Sequence, residues 1–198
     1  MDLYERFKIS EPKPFGTGLE IYIAEAHNEL RLIIQHHLHK LGFQNVRTAR
    51  DGGVALAELK LRGAGIALVG DDLTNVGGLD LLKELREDTA ITRECYILMC
   101  KPVNKSEIML AIESGVDDLL IRPVAPADIL PKLRTAYSAY VNPKNPERVY
   151  EFAKGCIRQQ DFAKAREVYE ALSQSTAKAA RPFVGLAHVA RHEGDKEK

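Results

Sequence analysis

Apolar residues in this chain arrive in short runs separated by stretches of helical spacing. Within Glu20–Ala26 the apolar run Ile21–Ala24 leads into a single acidic residue, Glu25, and reads as a strand. From Asn28 to Leu41 the positions Leu30, Ile33, Ile34, His37, Leu38 and Leu41 recur at helical intervals, and Gly42 follows as a stop. The alternation then repeats. Val46–Ala49 is a short strand, and Gly53–Arg62 a helix with Val54, Leu56, Ala57 and Leu59 on its apolar side. Ile66–Val69 is a strand, Leu79–Glu87 a helix and Ile97–Cys100 a strand. Lys105–Ser114 is a helix led by Asn104 as cap, Leu119–Ile121 a strand, and Pro126–Tyr140 a helix with proline in its first turn. Apolar strands alternating with helices predict a parallel sheet covered on both faces.

Strand signals stop after Tyr140. Pro143, Lys144, Asn145 and Pro146 form a hinge, and the rest of the chain reads as helical. The expected division is a polar lead over 1–18, an α/β domain over 19–141, a hinge over 142–146 and a helical segment over 147–198. Inside that segment Val149 recurs as Phe183, Phe152 as Leu186, Ala153 as Ala187, Cys156 as Ala190 and Asp161 as Asp195, each 34 residues on. That period, with Phe162, Ala165 and Tyr169 on the second helix, resembles the tetratricopeptide repeat. The resemblance implies a peptide groove lined by first-helix residues, here Glu147, Tyr150, Lys154 and Ile157, then Arg181, Val184, His188 and Arg191. The second repeat runs out at Lys198, where its second helix would begin, so a longer chain with further repeats is expected.

The segments Glu20–Ala26, Leu41–Phe43, Ala49–Gly52, Ile66–Gly70, Gly77–Arg86, Tyr96–Cys100 and Gly115–Pro123 together resemble the receiver domain of bacterial response regulators over roughly residues 19 to 140. The resemblance implies a five-stranded parallel flavodoxin-like sheet. It also implies a phosphoacceptor aspartate ending the third strand, a magnesium-holding acidic pair ending the first, a hydroxyl ending the fourth and a lysine ending the fifth. Those positions here are Gly70, the pair Glu25 and Ala26, Cys100 and Arg122, with the following proline kept as Pro123 and the fifth-strand switch aromatic replaced by Leu119. Glycine has no side chain to phosphorylate, one metal carboxylate is gone, and a thiol is a weak donor. Arginine keeps the charge of lysine without its shape. The expectation is a phosphorylation-deficient receiver acting as a non-catalytic adaptor, with no cofactor and no metal. A Glu25–Arg122 salt bridge is expected in the metal's place.

Two other readings stand beside it. In one, Asp71 or Asp72 serves as a displaced phosphoacceptor. Strand alternation aims Asp71 away from the pocket, and both aspartates then read as a solvated loop. In the other, the vestigial pocket holds a small ligand. The resemblance places protein partners, or a second copy, on the face from about Asn104 to Tyr140.

Composition narrows the classes further. The 28 basic and 28 acidic residues cancel, which gives no electrostatic case for nucleic acid or an anionic membrane. No apolar stretch is long enough to cross a bilayer, and the first residues lack a secretion pattern. Three cysteines without a pairing pattern point to a reducing, cytoplasmic setting. The histidines at 36, 37 and 39, and the pair His188 and His192, lack a completing ligand set and read as ordinary helix histidines. No arrangement of serine, cysteine and histidine suggests enzymatic catalysis.

Overall fold

The computed structural model describes residues 3–9, 13–87, 94–142, 146–175 and 181–194. In chain order the elements are α1 (Leu3–Phe7), β1 (Ile21–Ala24), α2 (Asn28–Lys40), β2 (Val46–Ala49), α3 (Gly52–Arg62), β3 (Ile66–Gly70), α4 (Gly78–Glu87), β4 (Cys95–Cys100), α5 (Lys105–Glu113), β5 (Asp118–Ile121), α6 (Pro126–Tyr140), α7 (Pro146–Arg158), α8 (Phe162–Ser175) and α9 (Arg181–Gly194). They fall into two compact units, 13–140 and the remainder, so the first helix groups with the last three.

The larger unit is a five-stranded sheet in the order β2-β1-β3-β4-β5, every pair parallel. Every residue of β1, β3 and β4 is buried, because helices cover the central strands on both faces. That is why these strands read as continuous apolar runs instead of alternating ones. The edge strands β2 and β5 are only partly buried. The core on one side joins Tyr22, Val69, Leu81, Leu82, Leu85 and Leu98. Burial pushes the phenols of Tyr22 and Tyr96 far up, so both rings stay neutral. Tyr96 Oη donates to Gly78 O at 2.6 Å. A Cβ on Gly78 would sit 2.4 Å from Gly70 O, so only glycine lets the first turn of α4 close on the end of β3. That contact fixes the backbone at Gly70.

Helix ends follow the sequence chemistry. Asn104 Oδ1 accepts from Glu107 N–H at 3.0 Å and Glu107 Oε2 accepts from Asn104 N–H at 2.8 Å, a reciprocal cap for α5. Asp51 caps α3 by accepting from Val54 N–H at 3.0 Å, and it also accepts from Thr74 Oγ1 at 2.9 Å. The polar lead does not act as one piece. Phe15 packs on Phe43 and Tyr137, with ring centroids 6.0 and 6.1 Å away, inside the α/β unit.

The smaller unit packs α7 on α8 and α8 on α9 around Val149, Ala153, Ala165, Val168, Leu172 and Val189. Leu3, Tyr4, Phe7 and Ile9 belong to the same core, with the Phe7 and Phe152 rings 6.4 Å apart. Ala153 and Ala165 are fully buried, as a close helix crossing requires, whereas Ala187, which matches Ala153 in the expected repeat, is exposed. Gly185 lies against the ring of Tyr169, where a Cβ would fall 2.3 Å from Cε1. Gly185→Ala is therefore expected to push α9 off α8 and cost about 1–3 kcal/mol. A lowered helical unfolding midpoint in urea, followed by circular dichroism, checks this. The chain breaks between α7 and α8, where Gln160 takes a positive φ of 61°, and the helix carrying Phe162, Ala165 and Tyr169 is separate from the one before it. Asp195 and residues 143–145 of the expected hinge lie outside the described residues.

Candidate functional site

β1 and β3 end side by side, pairing Ala24 with Val69, and β5 lies two strands beyond β3, with β4 between them. This geometry gathers Glu25, Gly70 and Arg122 at one edge of the sheet. Glu25 is fully buried and its amide donates to Ala49 O at 3.0 Å, continuing the β1–β2 ladder past the strand. Arg122 follows β5, its amide donating to Cys100 O at 2.8 Å.

The guanidinium of Arg122 fills the space between the strand ends. Nη2 donates to Glu25 Oε2 at 2.8 Å and to Asp72 Oδ1 at 2.9 Å, while Nη1 donates to Asp71 Oδ1 at 3.1 Å. The salt bridge expected between Glu25 and Arg122 is present. The readings of Asp71 and Asp72 need correction. β3 ends at Gly70 and the chain turns there, so strand alternation no longer governs where Asp71 points. Both aspartates are tied to Arg122 instead of standing as a solvated loop.

Charge balance explains why the cluster holds. The hydrogen bond from Arg122 holds the Asp72 carboxyl below the ordinary carboxylate range. Burial opposes the charge on Arg122 itself, but the bond to Asp72 and the field of Glu25 outweigh it and raise its proton affinity. Glu25 is satisfied on its other oxygen too, where Oε1 accepts from His27 N–H at 2.8 Å and lies 2.9 Å from His27 Nδ1. His27 was missed by the sequence reading. It is the residue before α2, and no periodic signal marks its ring. Among the described residues Glu25, His27 and Asp72 have ligand atoms within 4.8 Å of one another.

A Cβ built on Gly70 would meet Arg122 Nη2 at 2.8 Å, Glu25 Oε2 at 3.1 Å and Asp72 Oδ1 at 3.5 Å. Gly70 is thus the floor on which the guanidinium lies. Cys100 is buried, and burial first, then the charge of Asp71, pushes its thiol up against the pull of Arg122. A thiol pushed up in this way supplies less of the thiolate that reacts. Ala26 packs against the core as an apolar residue. Leu119 and Cys100 border a cavity of about 270 Å³ with Leu79, Leu98, Val103 and Leu110.

In the smaller unit the expected groove does not form as read. Tyr150 and Ile157 are buried in the helical core, Tyr150 with its ring 6.4 Å from Tyr169, because the same spacing serves packing between helices. Lys154 is held to Glu151 at 3.1 Å. Val184, His188 and Arg191 are exposed on α9, whereas the side chains of Glu147 and Arg181 lie outside the described residues. His192 stacks on Phe162 with centroids 5.8 Å apart.

Residues 21–134 match the family model described as the response regulator receiver domain. Chemotaxis protein CheY-3 of Vibrio cholerae serotype O1 is 27% identical over 118 residues, 60% of this chain and 91% of that protein. Chemotaxis protein CheY1 of Helicobacter pylori is 26% identical over 116 residues, 58% of this chain and 94% of that one. In solved structures the fold matches response regulator CheY4 of Vibrio cholerae with a TM-score of 0.56 at 18% identity, covering 60% of this chain and 98% of that one. It also matches the receiver domain of the Pseudomonas aeruginosa sensor histidine kinase PA1611, described with a magnesium ion in its active site cleft. There the TM-score is 0.55 at 21% identity, covering 61% of this chain and 98% of that one.

Proposed function

This chain belongs to the response regulator receiver family through residues 21–134, and from that premise we propose that it is a phosphorylation-deficient receiver that signals by docking protein partners and catalyses no reaction. The observation that carries this reading is the guanidinium of Arg122 bonded to three carboxylates above a glycine. A receiver's magnesium needs near-octahedral oxygen ligands. The residues present do not fit that ion. Glu25 Oε2 and Asp72 Oδ1 are held by the guanidinium, the neighbouring position is Ala26, and Gly70 offers no side chain. A fixed internal cation takes over the charge neutralisation that a metal gives, and it cannot dissociate.

A receiver held in one state still presents a surface. Met109, Leu110 and Ile112 on α5 and Ile121 on β5 are each at least 40% exposed, an apolar grouping on the face expected to meet partners. The family's two-component setting supports a protein partner there, and the helical unit supplies a second surface through the exposed positions on α9.

A second reading, with Asp71 as acceptor, draws support from the turn that brings its carboxylate to the site. One experiment separates the two. The full chain is incubated with acetyl phosphate and magnesium, and separately with beryllofluoride and magnesium. We expect no phosphoryl adduct by intact mass and no change in the amide spectrum around Gly70, Cys100 and Leu119. A saturable beryllofluoride response at those amides would replace the adaptor reading with the second.

A further inference from the structure

Beside the Arg122 cluster, the carboxyl ends of β1 and β2 border a crevice of about 750 Å³. We infer that this crevice is a binding site for a small phosphomonoester of about nucleotide size. Its two cations are Arg31 and Arg50. Arg31 is fixed in place, Nη1 donating to Glu25 O at 2.7 Å and Nη2 to Asn28 Oδ1 at 2.6 Å. Arg50 directly follows β2, is exposed, and bonds to none of the described residues. A planar guanidinium matches a phosphate oxygen pair in two parallel hydrogen bonds, and a cation without an internal partner is the one free to make them.

Among the described residues the lining holds one carboxylate, Asp51, which offsets only one of these two charges. It accepts from Val54 N–H, from Thr74 Oγ1 and from Asn75 Nδ2, which anchors it to the first turn of α3 and the loop after β3. Two guanidinium groups against one committed carboxylate leave the crevice net positive in a chain whose overall charge is zero. Ala26, Ala49 and Val54 supply an apolar wall for the organic part of a ligand. The volume falls inside the range of small-molecule sites. The location is outside the carboxyl ends of β1 and β2, next to the β1–β3 reversal of strand order at which open α/β sheets bind ligands.

Titrating the full chain, labelled with nitrogen-15, with adenosine 5′-monophosphate, inorganic phosphate and adenosine tests this. Saturable shifts are expected for the monophosphate at the amides of Ala26, Thr48 to Val54, Thr74 and Asn75, with weaker saturation for phosphate and none for adenosine. Arg50→Ala should weaken the monophosphate by at least about tenfold, the scale of one lost charge-assisted contact. Arg50→Lys should recover part of that loss. Because Arg50 is exposed and unbonded, an unchanged spectrum of the free variant shows that its fold is intact. Shifts that fail to saturate, equal responses to adenosine and its monophosphate, or an Arg50→Ala titration matching the original would each overturn the assignment.

Discussion

Arg122→Ala is expected to lower the stability of the α/β unit by about 3–5 kcal/mol, among the largest effects of any single change in it. The size follows from what stays behind. Glu25 is completely buried, and the Arg122 side chain is only 12% exposed. Removing the guanidinium strands a buried carboxylate beside Asp71 and Asp72, three acids at one strand edge that lose the cation they share. For a unit of this length the loss corresponds to a fall in melting temperature of roughly 10–20 °C. Thermal unfolding followed by circular dichroism checks it, and an unchanged melting temperature would remove the cluster from the account of stability. The pair Glu25→Gln with Arg122→Met should lose much less, because the cost comes from an uncompensated charge.

The same cluster sets an acid limit. In the folded chain Arg122 depresses the carboxyl of Asp72, so its contribution is present above the unfolded value and disappears as pH falls through the lower folded one. The original chain should therefore lose stability on acidification below about pH 4. In Arg122→Ala the part of the slope that belongs to Asp72 should flatten, because its folded carboxyl loses the guanidinium that depressed it. Urea midpoints measured at neutral pH and at acid pH compare the two slopes.

What the sequence disclosed, and what it withheld, divides along physical lines. Ile21, Ile23, Leu68 and Ile97 announced their strands because a strand buried on both faces needs apolar residues at every position. Asn104 announced a helix start because its oxygen suits a free amide. Glu25, Gly70 and Arg122 were legible because each sits at the last position of a strand or just beyond it, where parallel strands bring side chains to one edge. Asp71 and Asp72 were not, since alternation ends with the strand and a turn's direction leaves no period in the pattern. Leu3 to Phe7 is too short to show a helical period, so its place in the helical core was invisible. Tyr150 and Ile157 were misplaced because one spacing serves both a groove wall and a helix contact. The Arg50 crevice was missed because its members come from α2, β2, α3 and the loops after β1, β2 and β3, and share no motif.

Gly70→Asp, which restores the family's acceptor residue, is expected to leave the chain unable to take a phosphoryl group. The new Cβ would fall 2.8 Å from Arg122 Nη2 and 3.1 Å from Glu25 Oε2, so the guanidinium must leave its bed before the side chain fits. A fourth carboxylate would then enter a site where three already share one guanidinium. The displaced cation binds the new acid, which makes it a poor nucleophile, and no ligand set for magnesium appears because Ala26 is unchanged. Stability should fall with the crowding, by about 1–3 kcal/mol. Adding Ala26→Asp restores the second carboxylate, and Arg122→Lys withdraws the planar fork in favour of a compact ammonium. The triple variant, and not the single one, should bind magnesium and beryllofluoride saturably. Should Gly70→Asp alone form an acyl phosphate from acetyl phosphate, Arg122 is no barrier, and the loss of function would lie in one missing side chain instead of a rebuilt site.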